Sequence, residues 1–299
     1  MYCCNHQLHS FEAGKDEDRR QIKIAAYSAF GITLLLVVCR TIAYLTTRSI
    51  AVEAYMFDAV KDWVVSSLNA LFLLKSVKYA DEKYPFGYGK IEALAALFQS
   101  IFLFCMGAVV AFDIFHASHE SKLVYSTVAF VVLGISIVGA FVLVLIQTRI
   151  ARKVQSLAIQ ADAAHYKSDI IVNIGVLIGL WISYAASWID VILGGVIAVY
   201  LVGVSISVGR SALAVLLDRS LAPKVVTEIR DIVEHSGGKI STIRTHSLGR
   251  GEFIALELLE DDSEGRLQDI SEKHADIEAK IHERFKKSFV MIATKVNRV

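Results

Sequence analysis

From Leu123 to Thr148 the chain has the sequence LVYSTVAFVVLGISIVGAFVLVLIQT, in which no residue is charged. An apolar run of about 20 residues is long enough to cross the hydrocarbon core of a bilayer as one helix. Hydrophobic residues make up 55% of the 299 residues of the chain, above the share of about 45–50% in soluble domains. The composition therefore excludes an ordinary soluble domain and indicates a membrane protein.

The balance of charges excludes a further class of function. Lys and Arg number 31 and Asp and Glu number 30, so the formal charge of the chain is +1. A protein that binds nucleic acid needs a strongly basic surface. We therefore expect no nucleic-acid partner.

Five other apolar segments flank this stretch, and all six are too long and too continuous for strands. The sequence therefore predicts an α-helical membrane protein with six transmembrane helices. Their approximate bounds are 24–46, 50–74, 91–115, 123–148, 158–184 and 189–209.

Lysine and arginine are concentrated on alternate connections between these segments, and such connections face the cytoplasm. We therefore expect both termini in the cytoplasm, with residues 1–22 as an N-terminal tail and 23–210 as the transmembrane domain. The basic residues that set this orientation are Lys15, Arg19, Arg20, Lys23, Lys75, Lys78, Lys83, Lys90, Arg149, Arg152 and Lys153.

The composition changes from apolar to mixed after Arg210, which predicts a second, cytoplasmic domain over 211–299. Its pattern indicates the order helix, strand, strand, helix, strand. In the second strand Ile254, Leu256 and Leu258 alternate onto one face. We therefore expect a small α+β domain similar to the ferredoxin-like fold of metallochaperones. The predicted elements are 224–235, 243–248, 252–259, 267–285 and 289–296.

Two of the predicted spans carry pairs of ionisable residues, Asp58 with Asp62 and His165 with Asp169. Charged groups inside a bilayer are costly, so those that occur tend to be functional. Residues four apart lie on one face of a helix, one turn from each other. Three carboxylates and one imidazole from two neighbouring helices would make a tetrahedral site for a divalent transition metal such as Zn²⁺.

The same residues also allow a structural interpretation. The carboxylates can pair with Lys61 or Lys167 and hold helices together, or contact water near the ends of the spans. The repeated spacing in two spans favours the metal site. The other polar residues of the spans are expected to be structural: Glu53, Asp113 and Asp190 at span ends, and Arg40 snorkelling to the membrane surface.

The N-terminal tail contains two of the four cysteines, and thiols in a cytoplasmic tail stay reduced. Two interpretations of this tail are open, namely contact with a soft metal and a disordered terminus. The residues concerned are Cys3, Cys4, His6 and His9.

Together these features resemble the cation diffusion facilitator (cation efflux) family, and within it the bacterial ferrous-iron and zinc efflux transporters with an Asp-Asp-His-Asp site. Besides the ligand pairs and the six spans, the resemblance rests on two motifs. They are the loop Tyr84-Pro-Phe-Gly-Tyr-Gly-Lys90-Ile-Glu and the segment Leu216-Leu-Asp-Arg-Ser-Leu221. The resemblance extends from about Lys23 to the C-terminus.

The resemblance implies a proton-coupled antiporter that exports divalent cations, Zn²⁺ first and Fe²⁺ next, as a homodimer in the bacterial inner membrane. The four ligands named above would form the transport site. Lys90 and Asp218 match a Lys and an Asp that interlock as a salt bridge at the dimer contact of the family. Metal ions would be cargo, so no cofactor is expected.

The chain departs from the family at two other metal sites. Tyr88 replaces a His that shares a cytoplasmic-face site with an Asp, here Asp81, and a phenol with an ordinary pKa of about 10 is a poor ligand. We therefore expect this site to be weak or absent. In the C-terminal domain the ligand positions fall on Ser241, Glu257, Ala293 and Lys295. We expect that domain to dimerise by packing, with His246, His274 and His282 as surface or packing residues.

Charge accounts for the expected exchange of metal for protons. Three carboxylates give the site a charge of about −3 in a low-dielectric surrounding, and a divalent ion reduces this to about −1. Protons are expected to replace the metal as the site opens to each side in turn. His165 is the best proton carrier because imidazole ordinarily titrates near pH 6.5.

Two other classes of function fit less well. A membrane metalloprotease would need a His-Glu-x-x-His helix, and neither His119-Glu120 nor His282-Glu283 is followed by the second His. The chain also has no Gly-x-Ser-x-Gly motif, so we expect it not to be an enzyme. The alternative is a non-transporting membrane metal sensor or scaffold, which would not need all four ligands.

Overall fold

In the computed structural model, which describes residues 2–47, 50–116, 127–182, 187–261 and 267–297, six long helices come first along the chain. Each of them contains most of one predicted apolar segment. They are α1 (Tyr2–Thr47), α2 (Ile50–Ser76), α3 (Lys90–His116), α4 (Thr127–Val154), α5 (Leu157–Ile182) and α6 (Ser187–Leu216).

Several helices continue beyond the apolar segments. Helix α1 begins at Tyr2 rather than near residue 24, and α4 continues through Arg152 and Lys153 to Val154. A helix satisfies its backbone hydrogen bonds internally, so it need not end where the apolar sequence ends. The first residues of the predicted segment 123–148 lie outside the described residues.

Within the described residues, four helices are long and apolar enough to cross a membrane. They correspond to Asp16–Thr46, Lys90–Phe112, Val131–Val154 and Ile192–Leu216. Helices α2 and α5, which contain the ionisable pairs and their polar neighbours, are not among these four. The structure confirms a multi-helix membrane domain, and the number of six spans stays a prediction.

The chain divides into two compact units. One is formed by Glu17–Leu213 and the other by Ala214–Val299 together with Met1–Asp16. In the helical unit, one core cluster joins five helices. It contains the C-terminal ends of α2 and α4, the N-terminal turns of α3 and α5, and the part of α1 around Ile22. Small side chains at these contacts let the helix backbones approach closely. They include Ala25, Ala26, Ala70, Ala95, Ala151 and Ala158.

The second unit has the predicted order of elements. They are α7 (Pro223–His235), β1 (Lys239–Ser247), β2 (Glu252–Asp261), α8 (Leu267–Arg284) and β3 (Ser288–Asn297). Strand β2 is central, antiparallel to β1 and parallel to β3. The parallel pair requires a crossover connection, which α8 provides. Strand β1 starts earlier than predicted, and its pairing shifts register between Ile240 and Thr242.

One face of this sheet forms the core of the unit. Ile254, Leu256 and Leu258 are buried, as their alternation predicts, and they pack against α7 and α8. The helices contribute Ile229, Val233, Ile277 and Ile281. A small sheet domain after the membrane helices is therefore confirmed, and its closer likeness to a ferredoxin-like fold stays a prediction.

Candidate metal centre

A cavity of about 70 Å³ lies within the helical unit and is bounded by residues of all six long helices. This volume has room for a few water molecules or a partly hydrated ion, since one water needs roughly 10–15 Å³. The polar residues that line it are Thr33, Arg40, Asp58, Lys61, Asp62, Ser136, His165, Tyr166, Asp169 and Asn173.

Three ionisable side chains meet in this cavity. One ligand atom from each of Asp62, His165 and Asp169 lies within 4.8 Å of the other two. His165 Nε2 is 3.8 Å from Asp62 Oδ1 and 3.6 Å from Asp169 Oδ2. The four-residue spacing in α5 places His165 and Asp169 one turn apart, and α2 supplies the third group.

These distances suit a bound ion better than direct hydrogen bonds. Ligands at about 2.1 Å from a tetrahedral metal lie about 3.4 Å from one another. His165 is buried, and neither of its ring nitrogens has a hydrogen-bond partner within the described part of the chain. Buried polar atoms are normally paired. The donor set therefore fits a divalent transition metal.

Aromatic rings hold the imidazole in place. The ring centroids of Phe102 and Tyr166 lie 5.6 Å and 5.3 Å from that of His165. The Tyr166 hydroxyl donates a hydrogen bond to Ser66 Oγ at 3.1 Å and so points to α2. These contacts restrict the orientation of the imidazole.

Asp58 lies on the same cavity but outside the three-residue cluster. Lys61 Nζ is 2.5 Å from Asp58 Oδ1, and Arg40 Nη1 is 3.6 Å from Asp58 Oδ2. Lys61 Nζ also lies 3.9 Å from Asp62 Oδ1. The structure thus brings three of the four predicted ligands together and pairs the fourth with two cations.

The prediction that Arg40 snorkels to the membrane surface is wrong. Its side chain is buried, and Nε and Nη2 donate to Ser136 Oγ at 3.1 Å and 2.7 Å. Nη1 donates to the backbone oxygen of Tyr55 at 2.8 Å. These hydrogen bonds and the nearby Asp58 offset the cost of burying the guanidinium. The available signal was its place inside a span, where an ionisable residue is by default a functional candidate.

The two cations change the electrostatics expected from the ligands alone. Arg40 and Lys61 both lie within 4 Å of Asp58. The three carboxylates and two cations therefore sum to a formal charge of about −1 when His165 is neutral, rather than about −3. A divalent ion would bring the same groups to about +1.

Asp162 is a buried carboxylate that sequence reasoning did not single out, although it lies three residues before His165 in a predicted span. Its Oδ2 accepts a hydrogen bond from Gln147 Nε2 at 3.0 Å. Gln147 Nε2 also donates to the backbone oxygen of Ala25 at 3.1 Å. Because Asp162 is not among the described residues that line the cavity, we assign it to the packing of α1, α4 and α5.

The loop between α2 and α3 holds Asp81 and Tyr88 together. The Tyr88 hydroxyl donates to Asp81 Oδ2 at 2.6 Å, and the backbone N–H groups of Lys83 and Tyr84 donate to Asp81 Oδ1 at 3.0 Å and 2.8 Å. The hydrogen bond to Asp81 raises the pKa of Tyr88 to about 12. The same bond, with those from the backbone, lowers the pKa of Asp81. Tyr88 thus occupies Asp81 by hydrogen bonding, and the weak metal binding expected here stays a prediction.

Lys90 and Asp218 belong to different units, so their pairing stays a prediction. Lys90 is the first residue of α3. Asp218 follows α6 with a φ of 55°, and the next N–H, of Arg219, returns to the backbone oxygen of Ala214 at 2.9 Å. This left-handed position is a common way to end a helix, and Asp tolerates it better than most residues. Asp218 Oδ1 also lies 3.7 Å from His246 Nε2.

The histidines of the sheet domain take part in packing and surface contacts. The ring of His246 stacks on Phe253 with centroids 4.8 Å apart, and His282 Nε2 lies 3.6 Å from Glu278 Oε1. At one position expected to match a family ligand, Glu257 accepts a hydrogen bond from Thr242 Oγ1 at 3.0 Å. Several side chains on which predictions rest lie outside the described residues: Cys3, Cys4, His6, His9, Glu53, Asp113 and Asp190.

Known proteins match the region that contains the cavity. The family model for the cation efflux transmembrane domain matches residues 26–217. Over 243 residues the chain is 32% identical to the cation-efflux pump FieF of Yersinia pestis (strain Pestoides F). The aligned region covers 80% of this chain and 81% of that protein. The pump of the same name from Yersinia pseudotuberculosis serotype O:3 (strain YPIII) matches with the same identity and coverage.

The family model matches nearly the whole helical unit, and the relatives align over four fifths of the chain. Both findings agree with a cavity whose ligand atoms could hold a metal ion. The chain is a membrane transporter and not an enzyme, with metal ions as its cargo. It belongs to the cation diffusion facilitator, or cation efflux, family.

Proposed function

We propose that this chain exports divalent transition-metal cations from the cytoplasm, Zn²⁺ first and Fe²⁺ second, in exchange for protons. Membership of the cation efflux family supports export of divalent cations as the coarse function. The protein would work as a homodimer in the bacterial inner membrane, with six spans and both termini cytoplasmic. The Lys90–Asp218 interlock would lie at the dimer contact.

One observation carries the proposal: the cluster of Asp62, His165 and Asp169 around an imidazole that lacks hydrogen-bond partners among the described residues. Two carboxylates and one imidazole nitrogen form a set of ligands that binds transition metals well. Mg²⁺ and Ca²⁺ prefer oxygen ligands alone and would gain little from His165. We expect Asp58 to be the fourth ligand, once its oxygen is released from Lys61.

Proton exchange is consistent with the charges of the cavity. With Arg40 and Lys61 included, a bound divalent ion gives a local formal charge of about +1. Two protons on His165 and the carboxylates in place of the metal give the same value, so exchange of this kind leaves the charge in the membrane unchanged. Metal and protons compete for the same atoms, because metal ligands must be deprotonated.

The direct test is zinc transport by the purified full chain in proteoliposomes that contain a zinc-sensitive dye and carry a pH gradient. We expect Asp62→Ala and His165→Ala to reduce zinc flux to the level of protein-free vesicles. The matched control is Asp276→Ala, which removes an exposed carboxylate from α8. Wild-type flux in Asp62→Ala would contradict the site. Zinc flux that does not depend on the pH gradient would contradict proton coupling alone. Zinc binding without flux would support the alternative of a non-transporting metal sensor.

A further inference from the structure

One predicted ligand of the transport site is already occupied by a cation of the protein itself. Lys61 Nζ lies 2.5 Å from Asp58 Oδ1 and 3.9 Å from Asp62 Oδ1, on the wall of the cavity. Lys61 therefore contacts one predicted ligand and lies close to a second.

An ammonium at this position competes with a metal ion. A metal bound to a carboxylate oxygen lies about 2.0–2.2 Å from it. A metal bound to Asp58 Oδ1 would thus lie close to Lys61 Nζ, where two positive charges repel each other strongly. Coordination of a metal by Asp58 Oδ1 therefore requires Lys61 to leave this oxygen.

Of the two cations beside Asp58, Lys61 is the one that can move. Arg40 is buried and is fixed by hydrogen bonds to Ser136 and Tyr55. The Lys61 side chain is 32% exposed, and besides the carboxylates its described contacts are weak. Its Nζ lies 3.5 Å from Met106 Sδ and 5.9 Å from the ring centroid of Phe102. When a metal binds Asp58, the ammonium can remain beside the site in contact with the sulfur of Met106 and the ring face of Phe102.

We propose that Lys61 is a tethered counter-cation, a positioning residue that withdraws from Asp58 when metal binds and returns when metal leaves. This rests on the proposed function, since it concerns the same site. The competition weakens metal binding and in turn speeds metal release. Lys61 thus sets the affinity of the transport site, although it is not itself a metal ligand.

The test is calorimetric titration of the full chain in detergent with Zn²⁺ alone at a fixed pH. We expect Lys61→Met to lower the Kd for zinc by about tenfold or more, because a like charge within about 4–6 Å disfavours a cation by at least this factor. We also expect Lys61→Met to slow zinc release in the flux assay. Lys61→Arg restores the positive charge and should bring the Kd back towards that of the wild type.

The matched control is Lys167→Met, which removes an exposed lysine from α5 and should leave the Kd unchanged. Lys61→Gln, which keeps a polar side chain, provides a second neutral variant if Lys61→Met fails to fold. A Kd in the folded neutral variants that equals or exceeds that of the wild type would overturn the inference and leave the proposed function standing. Absence of zinc binding in the wild type would overturn both.

Discussion

Asp62 in α2 and Asp81 in the loop after α2 are both aspartates near possible ligands, but different groups surround their carboxylates. Asp62 faces His165 Nε2 at 3.8 Å, and that imidazole has no hydrogen-bond partner among the described residues. Asp81 accepts hydrogen bonds from the Tyr88 hydroxyl and from two backbone N–H groups. Asp62 therefore faces two other possible metal ligands, His165 and Asp169, whereas Asp81 is held by hydrogen-bond donors.

We therefore expect the groups around a carboxylate, and not its place in a family motif alone, to decide whether it binds a metal. A metal needs several lone pairs that converge on one point, as they do at Asp62, His165 and Asp169. At Asp81 both carboxylate oxygens already accept hydrogen bonds, and Tyr88 with a pKa of about 12 keeps its proton near neutral pH. Three experiments test this contrast.

The largest expected effect is on metal binding in the cavity. Asp169→Asn keeps the shape of the side chain but removes its charge. We expect the Kd for zinc to rise by about 100-fold or more, since changes to outer-shell partners alone cost about 10–100-fold. Calorimetric titration with zinc measures this loss.

The matched variant is Asp81→Asn, which makes the same chemical change in the loop and should leave zinc binding in the cavity unchanged. Equal losses in the two variants would remove the contrast between the sites.

Much of the fold could be predicted because it depends on local patterns. An apolar run of about 20 residues predicts a long helix, so the hydropathy of the sequence indicated where the six long helices of the structure lie. The alternation of Ile254, Leu256 and Leu258 likewise predicted the buried face of β2. The helix ends were missed at Tyr2 and Val154, because a polar flank can continue a helix without any change in hydropathy.

A smaller effect is expected from restoring an imidazole to the loop. Tyr88→His would leave the backbone N–H groups of Lys83 and Tyr84 on Asp81 Oδ1 and free Oδ2 for a metal. We expect a second, weaker zinc-binding step in the titration, because a neutral imidazole is a ligand near pH 7 and a phenol is not. Tyr88→Phe removes the hydroxyl without adding a ligand and should show one step only. A second step in Tyr88→Phe would mean that Asp81 binds zinc without the imidazole.

The candidate site could be predicted in part, and the limit is again set by distance along the chain. His165 and Asp169 lie on one helix, so their spacing alone places them together. The ion pairs of Asp58 depend on Arg40, which lies eighteen positions earlier on α1, and on whether Lys61 pairs with Asp58 or with Asp62. Contacts between helices of this kind leave no periodic signal in the sequence.

The smallest expected effect is on the pKa of Asp81. Tyr88→Phe removes the hydrogen bond that contributes most to lowering this pKa, while the two backbone donors remain. We therefore expect the pKa of Asp81 to rise towards its ordinary value of 3.8 in a carbon NMR titration of the full chain with labelled aspartate. A carboxyl with a lowered pKa in the folded state stabilises the protein above its unfolded pKa and loses this contribution as the pH falls through the folded pKa. Tyr88→Phe should thus reduce the stability of the loop above about pH 4. Tyr84→Phe removes a phenol from the same loop without removing a hydrogen bond to Asp81, so a rise of equal size in that variant would contradict the role of the Tyr88 hydroxyl.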